Sequence, residues 1–131
     1  MQSLTRINSM IEGGCFCGAI RFAIEEKAEG NYLVANCHCS ICRKTSAAPF
    51  VTWLIVPVTK FSYQSVKQKF LQSSAHGTRH FCRDCGIPLA FLTTERPHNI
   101  DITTGSLDDP NCFVPTLDVH EESKLHWVHL Q

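Results

Sequence analysis

Seven of the eight cysteines in this 131-residue chain fall into three tight clusters: Cys15-Phe16-Cys17, Cys37-His38-Cys39-Ser40-Ile41-Cys42 and Cys82-Arg83-Asp84-Cys85. Two thiolates one or two residues apart can face a single ion, because a short turn brings both sulfurs to about 2.3 Å from a tetrahedral Zn²⁺. Four thiolates close such a site, whereas three leave a position for water or substrate. Seven cysteines divide into a set of four and a set of three. The chain is therefore expected to be built around one closed, structural zinc and one open zinc. Sulfurs separated by one residue pair badly with each other, which disfavours disulfides.

Lys plus Arg equals Asp plus Glu, at 12 each, so no global field favours nucleic acid or an anionic membrane. The segment 1–11 is polar and lacks the apolar core of a signal peptide. The longest apolar stretch, 47–58, is interrupted by Thr52 and Pro57 and is short for a bilayer span. These features predict a cytoplasmic protein with no membrane partner, a compartment where clustered cysteines favour metal. No repeat or linker divides the sequence, and a single zinc-binding domain over 13–131 is expected after an N-terminal extension, 1–12.

The periodicity is mostly two. Ile20, Phe22 and Ile24 alternate with Ala19, Arg21 and Ala23, as in a half-buried strand. Phe50–Val56 is apolar on both faces and reads as a central strand. Shorter candidates are Tyr32–Ala35, Val58–Tyr63, Lys69–Gln72, Arg79–Phe81, Leu89–Thr93 and Ile100–Thr103, with Leu125–Leu130 as a closing strand. Gly, Pro, Asn and Asp separate them at short intervals, which predicts a mainly β fold. Ser40–Thr45 is long enough for one helical turn.

Cys15-x-Cys17 precedes the first of these strands, flanked by Gly13, Gly14 and Gly18, and Cys82-x-x-Cys85 runs into Gly86. Glycine next to such pairs lets backbone amides turn toward the sulfurs. Cys37-x-Cys39-x-x-Cys42 is a compact three-thiolate set. It is read either as an open zinc or as a second structural site completed by a distant residue such as Cys112 or a histidine. Spacing alone leaves open which cluster partners which. Cys112 otherwise reads as a buried or partly buried free thiol. His38, between ligands, should point away from the metal. Arg43 and Lys44 follow Cys42 directly. They would offset the excess charge of three thiolates and could receive a substrate carboxylate, although a solvated basic pair is the plainer reading.

Four runs occur together and in order: Gly14-Cys15-Phe16-Cys17-Gly18-Ala19-Ile20-Arg21, Cys37-His38-Cys39-Ser40-Ile41-Cys42-Arg43-Lys44, Arg79-His80-Phe81-Cys82-Arg83-Asp84-Cys85-Gly86 and Gly105-Ser106-Leu107-Asp108-Asp109-Pro110. Over residues 13–127 the chain resembles the glutathione-dependent formaldehyde-activating enzyme family, which includes the centromere protein V domain. The resemblance implies several coiled antiparallel β-sheets organised around zinc, as in methionine sulfoxide reductase B and a Rab GTPase chaperone. It implies a structural zinc on Cys15, Cys17, Cys82 and Cys85 and a catalytic zinc on Cys37, Cys39 and Cys42. It also implies an S-hydroxymethylglutathione synthase-like carbon–sulfur lyase acting on glutathione or a small-thiol/aldehyde adduct. One departure is visible: relatives often carry a histidine where Pro115-Thr116-Leu117 here leads into Asp118.

Three function classes follow: a zinc enzyme for a glutathione adduct, a zinc-stabilised protein-binding module, and a nucleic-acid-associated domain. The balanced charge counts against the third. The complete Cys37, Cys39 and Cys42 trio favours the first, because a scaffold needs only closed sites.

Overall fold

In the computed structural model, which describes residues 9–129, ten strands follow one another in the chain. They are β1 (Met10–Gly14), β2 (Arg21–Glu25), β3 (Leu33–Cys37), β4 (Val51–Pro57), β5 (Phe61–Tyr63), β6 (Gln68–Gln72), β7 (Gly77–Cys82), β8 (Pro88–Thr93), β9 (Asn99–Thr103) and β10 (Leu117–Val119). A single helix, α1 (Ser40–Ser46), stands between β3 and β4. The fold is mainly β, in two sheets of order β1-β2-β5 and β10-β3-β4-β9-β8-β7-β6.

The apolar alternation places the core. Ile20, Phe22 and Ile24 are fully buried and meet Leu54, Val56, Leu89 and Ile102 of the larger sheet in one cluster. Burial of each such side chain contributes about 1.5–3 kcal/mol. β4 is paired on both edges, to β3 and to β9, and Val51, Trp53, Leu54 and Val56 are buried along it.

Several details depart from the sequence reading. Residues 125–129 form no strand: the Val128 amide closes a turn on the Leu125 carbonyl at 3.0 Å, and Leu130 lies outside the described residues. The edge of β3 is taken by β10, in the parallel sense, and not by a strand from 125–129. Val58–Tyr63 divides into a 3₁₀ turn, Val58–Lys60, and β5, since Pro57 lacks the amide to continue the ladder. The helix runs for seven residues rather than one turn. The Cys39 sulfur caps it by accepting from the Cys42 amide at 3.2 Å, and the Ser46 hydroxyl donates to the Cys42 carbonyl at 2.7 Å. Strand β1 went unread in the sequence. In it Gly13 and Gly14 serve close approach rather than a turn: a Cβ on Gly13 would sit 2.5 Å from the Phe22 ring. Among the described residues no helix is long and apolar enough to cross a membrane.

Candidate metal centres

Cys15 and Cys17 occupy the turn between β1 and β2, while Cys82 ends β7 and Cys85 lies in the turn before β8. The four sulfurs lie within 4.8 Å of one another, with Cys15–Cys17 at 3.5 Å and Cys17–Cys82 at 3.7 Å. A disulfide would need about 2.05 Å, whereas the edge of a tetrahedron with 2.3 Å zinc–sulfur bonds is about 3.8 Å. The spacing fits metal. Backbone amides supply the second requirement: Ile20 donates to Cys15 at 3.2 Å, and Asp84 and Cys85 donate to Cys82 at 3.3 Å. Both turns need a left-handed residue, met by Gly18 at φ +84° and Gly86 at φ +82°. The Ile87 amide is the main force holding Cys85 down at about 6. Four acceptor sulfurs faced by amide donors can hold a metal ion.

Cys37 ends β3, Cys39 is the helix cap and Cys42 lies within α1. Their sulfurs also lie within 4.8 Å of one another, and among the described residues no histidine, carboxylate or further cysteine joins them. Cys37 and Cys42 are buried and 3.5 Å apart; Cys39 is half-buried. The adjoining Cys37 draws Cys42 down to about 5, with Cys39 and the Arg79 charge acting against burial, and Cys37 is correspondingly pushed up. Such a set carries one ready thiolate and gains from a cation that would ionise the others. It too can hold a metal ion.

The walls of this second set are supplied by distant parts of the chain. Trp53, Val51, Phe91 and Val119 pack against it. Arg79 of β7, 8% exposed, donates through Nη2 toward Cys42 Sγ at 3.6 Å. His38 points away from the sulfurs. It is fully buried, its Nε2 lies 2.9 Å from Asp118 Oδ1, its ring stacks near Phe50, and its Nδ1 has no partner among the described residues. Asp118 also accepts from Asn36 at 3.3 Å, and Asn36 in turn accepts from Thr52 at 2.6 Å. The peptide of the middle residue is held as well: the His38 amide donates to the Val119 carbonyl at 3.1 Å, and Arg43 donates to the His38 carbonyl at 3.2 Å.

Arg43 spends the same Nη1 on the Ser123 carbonyl at 2.6 Å, tying α1 to the C-terminal segment. Lys44 makes no ion pair among the described residues. Both line an open groove of about 1070 Å³ with Ile41, Leu71, Leu125 and the half-exposed Trp127, and none of the three cysteines is in its wall. Cys112 is exposed rather than buried and stands apart from both sets, 3.1 Å from Asp109 Oδ2. It is raised by that carboxylate.

Sequence reasoning passed over Arg79 and the Arg21–Asp108 pair. A lone arginine in a strand of otherwise inward parity is a signal for a buried anion. Arg79 and Cys82 are both buried although they sit at opposite parity in β7, and the β7–β8 register shifts by one residue between them. Arg21 grips Asp108 with two bonds, 2.9 and 2.5 Å. The run Gly105–Pro110 therefore braces the first cysteine turn.

The profile described as Glutathione-dependent formaldehyde-activating enzyme matches residues 10–123. The chain is 28% identical, over 131 aligned positions, to a putative glutathione-dependent formaldehyde-activating enzyme of Halomonas elongata, covering 93% of this chain and 82% of that one. It is 33% identical over 84 positions to an uncharacterized lyase of Schizosaccharomyces pombe, covering 63% of this chain and 58% of that protein. The crystal structure of a Rhodobacter sphaeroides protein superposes with a TM-score of 0.67 at 19% identity, covering 83% of this chain and all of the other. That likeness concerns the fold.

Proposed function

The chain belongs to the glutathione-dependent formaldehyde-activating enzyme family, and from that premise we propose that it is a zinc-dependent carbon–sulfur lyase acting on glutathione or a small-thiol/aldehyde adduct. The observation that carries this reading is the trio Cys37, Cys39 and Cys42, gathered without a fourth ligand group among the described residues. Zinc held there would keep an incoming thiol as thiolate and polarise a carbonyl oxygen beside it. The net reaction forms one carbon–sulfur bond and moves the thiol proton to the aldehyde oxygen. It needs no oxidant or reductant.

The chain's own residues would supply position and shelter. Trp53 and Phe91 cover one side of the trio, and water exclusion strengthens every charge interaction inside. Arg43 and Lys44 line one groove and offer positive charge to a glutathione carboxylate at an exposed rim, where such pairing orients more than it binds. Cys15, Cys17, Cys82 and Cys85 would hold a second, structural zinc.

Calorimetry with glutathione on zinc-loaded protein, beside the Cys39→Ser variant, tests the reading. Heat from the parent and none from the variant supports it. Equal heats from both, or none from either, would leave a zinc-stabilised binding module instead. Carbon-13 formaldehyde with glutathione, followed by NMR, then reports the hydroxymethyl product directly.

A further inference from the structure

Arg79 is a buried cation without a carboxylate of its own. No aspartate or glutamate pairs with it among the described residues. Asp101, the buried carboxylate whose field reaches it, is held by Arg96 through two bonds of 3.3 and 2.7 Å. The Arg79 Nε donates to Ser73 Oγ at 2.9 Å. Its guanidinium lies 4.6 Å from the Phe91 ring centroid and 6.0 Å from that of Trp53. The remaining arm reaches Cys42 Sγ at 3.6 Å. An uncompensated charge in such a setting is strongly unfavourable, so the sulfurs are its counter-charge.

The arithmetic of the two sets differs in the same direction. Three thiolates around a divalent ion sum to one negative charge, and four sum to two. The four-cysteine set has Cys17 exposed to solvent, where water screens the excess. The three-cysteine set has Cys37 and Cys42 buried and needs a local cation. We infer that Arg79 is the charge-balancing positioning residue of the three-cysteine set. It brings metal and thiolates to neutrality, so that this buried, open site can take a further anionic thiolate. The inference rests on the metal reading above and adds the residue that sets the site's affinity for metal and thiol.

The test uses the full chain as wild type, Arg79→Gln and Arg79→Lys. Zinc affinities are read by competition with a chromophoric chelator, and glutathione contact by the thiolate-to-cobalt absorption of the cobalt-loaded protein. Arg79→Gln should leave tight zinc unchanged, weaken the second class about tenfold or more, and lose the glutathione response. Arg79→Lys, which keeps the charge without the planar fork, should stay within about threefold of wild type. Second-class affinity in Arg79→Gln within about threefold of wild type overturns the inference. So does a loss in Arg79→Lys equal to that in Arg79→Gln, which would assign the effect to packing. If Arg79→Gln does not fold, Arg79→Met replaces it. Failure of both neutral variants to fold in zinc, with Arg79→Lys folded, makes the residue a requirement of the core and also overturns it. A single zinc class in the wild type would sink the open-site reading itself, an outcome distinct from all of these.

Discussion

Among the seven clustered cysteines, burial separates the consequences of substitution. Cys82 is fully buried, belongs to the main apolar cluster and accepts two amide bonds. Cys82→Ser would remove a sulfur from a site where a bound metal would contribute on the order of 10 kcal/mol, comparable to the whole stability of a domain this size. The expected result is unfolded or aggregated protein with lost metal, checked by melting and metal analysis. Unchanged melting and metal content would refute the structural assignment. Asp118 shows a different dependence. Among the described residues it is the only hydrogen-bond partner of the buried His38 ring, whose other nitrogen has none. Asp118→Ala should cost about 1–3 kcal/mol by leaving that imidazole wholly unpaired, and denaturant unfolding measures it. A change below about 0.5 kcal/mol would show the ring satisfied by other means.

Strands and turns are held in register by pairings remote in sequence. β1 meets the segment that follows β9 through the Gly13–Leu107 bridge and the Asp108 amide, which donates to the Glu12 carbonyl at 2.9 Å. The Arg21–Asp108 pair lies over that junction. The Arg21 bond holds the Asp108 carboxyl below the usual carboxylate range. A carboxyl depressed in the folded state contributes stability above its unfolded value, near 3.9, and loses it as pH falls through the folded value. Both side chains are roughly half exposed, so the contribution should not exceed about 0.5 kcal/mol. Asp108→Asn is expected to lower stability by that amount at neutral pH and to converge with wild type in strong acid. Parallel acid-unfolding curves for the two proteins would remove the pair from the stability of this junction.

Across the whole molecule the four-cysteine set joins the two sheets. Cys15 and Cys17 come from the turn of the three-stranded sheet, and Cys82 and Cys85 from the turn of the seven-stranded one. A metal at that point would close a long loop, between residues 17 and 82, and remove its entropy from the unfolded chain. The three-cysteine set lies within one sheet and its adjoining helix, so a metal held there would not be needed to dock the sheets. Chelator titration should therefore reveal two classes of zinc. The weaker should leave without loss of the β signal in circular dichroism, and the tighter should leave only with unfolding. Release of both in one cooperative step would contradict this division.

The sequence alone determined the local clustering of the cysteines and the fold class. Cysteine spacing is local, and a C-x-C or C-x-x-C turn with its glycine dictates where two sulfurs point whatever surrounds it. The alternation at Ile20, Phe22 and Ile24 and the apolar run through Trp53 likewise carry their burial in their own period. Tertiary structure decided what those local units meet. It gave β3 a parallel neighbour in β10 and closed 125–128 as a turn. It brought Arg79 of β7 to Cys42, 37 residues away. It also spent Arg43 on two carbonyls and set Asp118 against His38, 80 residues away. Such contacts depend on which strand edge is free and which buried charge lacks a partner. Both are properties of the assembled sheets, since a charge has no burial and an edge no neighbour until the chain has closed around them.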